Sequence, residues 1–112
     1  MKKFQGVESS NYTQIPNVYF DVIADLTNGE FKVLLYIARR KFGFERDSDN
    51  ISISQIANGN TKKDGTILDK GTGLSKRQVI KAIKSLVGKR DILKKIGTLK
   101  KEELIKIIEA NL

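Results

Sequence analysis

The stretch GTGLSKRQVIKAIKSL, residues 71–86, limits the fold more than any other part of the chain. Ser75 stands three residues before Gln78, the spacing of a capping box, in which each side chain satisfies the other's backbone amide. Beyond it, Val79, Ala82, Ile83 and Leu86 recur at i, i+3, i+4 and i+7. That period places all four on one face of a helix, and the face needs a core to cover it. Arg77, Lys81 and Lys84 recur at i, i+4 and i+7 on another face. Like charges so spaced repel by about 0.2–0.5 kcal/mol per pair, so an isolated helix gains nothing from them. A phosphate backbone would reward them, because each neutralised phosphate releases counterions.

The charge of the whole chain points the same way. Of the net +8, residues 74–101 carry +9, with ten Lys/Arg against the single acid Asp91; residues 1–73 carry +1 and residues 102–112 carry −2. A basic focus of this kind favours a polyanion, although a solvated lysine-rich surface is the plainer alternative. Cysteine and histidine are both absent. Disulfides, thiolate metal sites and the commonest general base are thereby excluded, and no cofactor or metal is expected. No nucleophile elbow, phosphate-binding glycine loop or zinc spacing occurs, so the chain is not expected to be an enzyme. It has no long apolar run and no signal-peptide pattern. A cytoplasmic protein is expected, with no membrane partner.

The length of 112 residues allows one modest core. Residues 1–13 are expected to be a flexible segment, 14–97 the main domain and 98–112 an amphipathic C-terminal helix. Val18–Ala24 reads as a short helix, and its alternating polar and apolar order also fits a strand. Thr27 and Glu30 form a capping box for a long helix, with Phe31, Leu34, Leu35 and Ala38 as its apolar stripe and Arg39, Arg40 and Lys41 in its last turn. Gly43 is expected to stop it. Residues 44–50 read as a polar turn. Ile51 and Ile53 alternate with serines, as in a very short strand. Ser52 and Gln55 then cap a short helix over about 54–58, ending at Gly59. Residues 59–73 hold four glycines and form a loop with a small hairpin at its tip. Asp91–Ile96 reads as a strand. Thr98 caps the last helix, whose face is Leu104, Ile105, Ile108 and Leu112.

Long helix, short strand, short helix, basic capped helix and basic strand make the order of a winged helix-turn-helix. The expected fold is therefore mainly α with short β-strands (α+β), a reduced wing and an extra C-terminal helix. In that layout the last helix of the motif enters the major groove of double-stranded DNA. Arg77 can pair bidentately with guanine and Gln78 with adenine. Ser75, Lys76, Lys81 and Lys84 would hold phosphates or first-turn contacts, and Lys94 and Lys95 would reach the flanking backbone. Lys62 and Lys63 either touch DNA or only solvate their loop. Phe31, Tyr36, Phe42 and Phe44 read as core aromatics.

Three runs, IPNVYFDVIADLTNGEFKVLLYIARRKFGF, ISISQIANG and GTGLSKRQVIKAIKSL, resemble the N-terminal domain of phage replication protein O over about residues 14–93. The resemblance implies a winged helix-turn-helix that binds repeated sites at a phage or prophage replication origin, as a homodimer. The C-terminal helix is expected to pack on the domain or on a second copy of it, and in the second case it is the dimer element. It also implies recruitment of the host helicase machinery through a separate C-terminal region. With the sequence ending at Leu112, that region is expected to lie outside it, as in a shortened form, a degenerate prophage product or a stand-alone binder. By position, the recognition-helix role falls on Ser75, Lys76, Arg77, Gln78, Lys81 and Lys84. The terminal segment follows Asp91–Ile96 where a wing's return strand belongs, so the wing is expected to be short or replaced. The alternatives are a winged-helix transcription regulator and a protein-interaction module.

Overall fold

A computed structural model of the chain describes residues 13–43 and 51–110. The expectations for residues 1–12, for the polar turn at 44–50 with Phe44, and for Leu112 lie outside the described residues. The architecture is mainly helical with one two-stranded antiparallel sheet, as expected of the fold class. Helices α1 (Val18–Asp21), α2 (Asn28–Ala38), α3 (Ile53–Asn58), α4 (Lys76–Gly88), α5 (Arg90–Ile96) and α6 (Lys101–Glu109) carry the chain. Strands β1 (Asn60–Thr61) and β2 (Ile67–Asp69) form a hairpin between α3 and α4.

Three of the predicted capping boxes are present. Thr27 and Glu30 open α2, Ser52 and Gln55 open α3, and Ser75 and Gln78 open α4. Each pair consumes two amides that a helix start leaves without partners, which is why these boundaries follow from local sequence alone. Helix α4 then packs on α2, α3 and α6. Its predicted apolar face, Val79, Ala82, Ile83 and Leu86, is fully inside. The transfer of each larger side chain out of water contributes roughly 1.5–3 kcal/mol.

Four expectations are corrected. Helix α2 turns Glu30, Val33, Leu34 and Ile37 inward, whereas Phe31 and Leu35 are only half-buried. Its sequence is apolar on two overlapping stripes, and the partners of Glu30 select one of them. Ile51 and Ile53 make no strand: both are buried, and α3 begins at Ile53 because Ser52 is its cap. Asp91–Ile96 is helical. Leu93 and Ile96, three apart, both reach the core, Asp91 sits in the first turn and Lys94 and Lys95 in the last. Gly97, at φ +73°, ends α5 by taking the left-handed conformation that a helix stop favours. Thr98 does not cap α6. Its hydroxyl pairs with that of Tyr19 at 2.8 Å, its carbonyl accepts from Lys41, and the helix starts at Lys101.

The last turn of the long helix also differs from expectation. After Ala38 the chain widens into a π-helical turn over Arg39–Gly43. Such a turn shifts the register of the following side chains by about one residue. Arg40 is carried inside, where it donates to the Tyr36 hydroxyl (3.4 Å) and to Gln55 Oε1 (3.3 Å). Lys41 pairs with Glu103 at 2.9 Å and ties α6 to the body of the domain. Leu104 and Ile107 of α6 are buried, and Ile105 and Ile108 are half-buried.

Candidate nucleic-acid interface

Helix α4 has two faces because its sequence has two periods. At about 100° per residue, Arg77, Lys81 and Lys84 fall within roughly 60° of one another, nearly opposite the buried face. The structure leaves all of them exposed, together with Ser75, Lys76 and Gln78. None of the four cations has a hydrogen-bond or ion-pair partner among the described residues. The ridge is thus open along its length.

The first turn carries a constraint on how it could read bases. Gln78 donates its backbone amide to Ser75 Oγ at 3.1 Å, and Ser75 donates its own to Gln78 Oε1 at 2.9 Å. The Gln78 side chain is therefore engaged in the cap through its oxygen, and its amide nitrogen stays free. A bidentate contact to adenine would give up one cap bond, a cost of about 1 kcal/mol. Arg77 has no such commitment among the described residues, so it is the better placed of the two for base-edge contact.

The other end of α4 is held by a charge cluster. Glu30, only 1% exposed, accepts from Lys89 Nζ at 2.6 Å, from the Thr27 amide at 2.7 Å and from the Ser85 hydroxyl. Lys89 also donates to the Asp25 carbonyl at 3.0 Å. Burial pushes the Glu30 pKa up. The hydrogen bonds from Lys89, Ser85 and Thr27 outweigh that and hold the carboxyl at about 2. The cluster fixes α4 against α2 and so sets the direction in which the ridge faces. Its spacing from Thr27 marks Glu30 only as a capping residue. Its partners lie 55 and 59 positions away, and no local spacing signals them.

Lys94 and Lys95 are exposed, as a contact would need. They stand on α5, a separate helix, and the strand that was to carry them does not exist. Among the described residues no strand follows α4, so no wing follows it either. Among the described residues there is also no group of acids that could hold a metal and no helix long and apolar enough to cross a membrane.

A capped, basic helix mounted on a small helical core defines the class: a helical domain with an open cationic ridge. The sequence model of the family described as Bacteriophage replication protein O matches residues 8–110, nearly the whole chain. The chain belongs to the bacteriophage replication protein O family. That membership places it in phage replication, with nucleic acid or the replication machinery as the class of partner. Neither the curated proteins nor the solved structures contain a match to it.

Proposed function

We propose that this chain binds double-stranded DNA sequence-specifically at a phage or prophage replication origin, with α4 as the reading helix. The observation that carries the reading is the division of α4. Val79, Ala82, Ile83 and Leu86 are buried, and its cations stand outside without partners among the described residues. Arg77 reads a base edge, with guanine as the natural partner. Ser75, Lys76, Lys81 and Lys84 position the helix on phosphates, and Gln78 adds a donor from its free amide nitrogen. Lys94 and Lys95 join by charge alone. The activity is binding, without a catalytic step. Membership in a replication family supports an origin as the target in this reading, ahead of a promoter.

Duplex titrations at several salt concentrations test this. Log affinity is expected to fall linearly with log salt, with a slope of about −0.9 per phosphate contacted. Affinity indifferent to salt would reject phosphate contacts and favour a protein partner. Footprinting on the adjacent genome separates an origin array from a lone operator.

Pairing of two copies through the C-terminal helix belongs to the same proposal. Leu104 and Ile107 are used inside the domain, so the remaining apolar surface is a shallow groove formed by Val87, Ile105 and Ile108 between α4 and α6. Ile108→Lys is expected to shift sedimentation from dimer to monomer. An unchanged mass, dimer or monomer alike, would remove this helix as the dimer contact.

A further inference from the structure

The hairpin between α3 and α4 is held at its root, paired along its strands and closed by a turn at its tip. At its root, Gly59 (φ +91°) and Gly71 (φ +72°) interlock: a Cβ on Gly59 would lie 2.1 Å from the Asp69 carbonyl oxygen, and one on Gly71 2.5 Å from the Gly59 nitrogen. Thr72 donates both its amide and its hydroxyl to the Ile56 carbonyl at 2.8 Å, and Gly73 donates to that of Ala57 at 3.1 Å. Buried Asp69 accepts from the Tyr36 hydroxyl at 3.2 Å and from the Gly71 amide at 2.9 Å. The root is thus clamped to α2 and α3. At the tip, Gly65 donates to the Lys62 carbonyl (2.9 Å) and Lys62 to that of Thr66 (2.8 Å), with Gly65 at φ +92°. This is a formed turn, and little ordering entropy remains to be lost on binding.

What the arm displays is cationic and apolar. Lys62, Lys63 and Lys70 are exposed, and their ammonium groups have no partner among the described residues. Of the two acids on the arm, Asp69 faces inward and Asp64 accepts from the Thr66 amide at 2.9 Å. Ile67 is 61% and Leu68 40% exposed, two of the four most open large apolar side chains among the described residues. The arm returns to the body at Gly71–Gly73, directly before the N-cap of α4, Ser75. It therefore leaves the domain beside the end of α4 that reads bases in the proposed function. About five residues out at ~3.3 Å each give a reach of roughly 15 Å. Half a DNA turn, the step from a major to the next minor groove, is about 17 Å.

Resting on the DNA-binding reading above, we propose that the hairpin is a second DNA-contacting arm. Lys62, Lys63 and Lys70 take phosphates beside the segment read by α4, and Ile67 lies against the wall of the adjacent minor groove. Lysine flanking an exposed aliphatic side chain is the chemistry by which a protein enters that groove.

The test uses the full chain and a duplex selected from a random library. The triple variant Lys62→Ala/Lys63→Ala/Lys70→Ala is expected to melt as the parent does and to keep the selected core sequence. Its salt slope should fall by about 2–3, close to 0.9 per lost contact, and hydroxyl-radical protection of the flanking minor groove should vanish. Ile67→Ser should remove the flanking protection with the slope intact. If the triple variant misfolds, Lys63→Ala alone, with an expected slope change of about 1, takes its place. A parental slope and footprint in the lysine variants, beside a reduced slope in Lys81→Ala, would overturn the arm while leaving the helix reading in place. Silence of Lys81→Ala as well would overturn both.

Discussion

The two ends of α4 use basic residues in opposite ways. From its start through its third turn, Lys76, Arg77, Lys81 and Lys84 are exposed and have no partner among the described residues. Just past its end, Lys89 is tied at 2.6 Å to the buried carboxylate of Glu30 and to a backbone carbonyl. In the sequence all five belong to one basic run. Charge density alone therefore does not locate an interface. A cation with a buried counter-charge stabilises the fold, and a cation without one is available to a ligand.

The largest expected effect is at the tied end. Glu30→Ala leaves Lys89, Ser85 and the Thr27 amide short of a partner. The expected loss is about 2–4 kcal/mol of unfolding free energy, below the full cost for a buried pair because Lys89 is 31% exposed at its side chain. An unchanged denaturant midpoint would show that the cluster is decorative. The same end has an acid signature. Folded Glu30 has a pKa of about 2 against an ordinary 4.5, so its stabilisation is complete above about pH 4.5 and disappears as pH falls toward 2. Glu30→Gln should flatten that part of the stability curve; identical acid profiles would reject the assignment.

At the open end the effects are on DNA and not on folding. Arg77→Ala is expected to cost about 1–3 kcal/mol at the preferred site and to relax base preference there, with no change in melting. Preference and affinity both untouched would mean that the reading face was misplaced. Smallest is Lys84→Ala. It should weaken all duplexes alike and reduce the salt slope by about one. A sequence-dependent loss in that variant would transfer Lys84 from positioning to reading.

Much of this is legible in the amino-acid sequence. The three capping boxes lie within four-residue windows, and a hydrogen bond spanning three residues is settled by local geometry. The buried face of α4 follows from its period: Val79, Ala82, Ile83 and Leu86 fall on one side and are buried, while Ile80 and Val87 flank that side half-buried. Two other segments show where that logic stops. DILKKI is too short for its pattern to separate a strand from a helix, and the contact of α5 with α1 and α4 decides for a helix. Helix α2 is apolar nearly all round, so its period could not choose a face. Among the site residues, the exposure of the ridge was foreseen, while the strand under Lys94 and Lys95 was not to be found.

The helix starts, the two-sided character of α4 and the concentration of positive charge around it follow from residues close together along the chain. That Glu30 and Arg40 go inside, that Thr98 pairs with Tyr19 instead of capping a helix, and that Lys89 parts company with the other cations follow from packing between distant segments. Each of those outcomes rests on a partner far away along the chain, and a buried charge or hydroxyl takes its role from the partner that desolvation forces upon it.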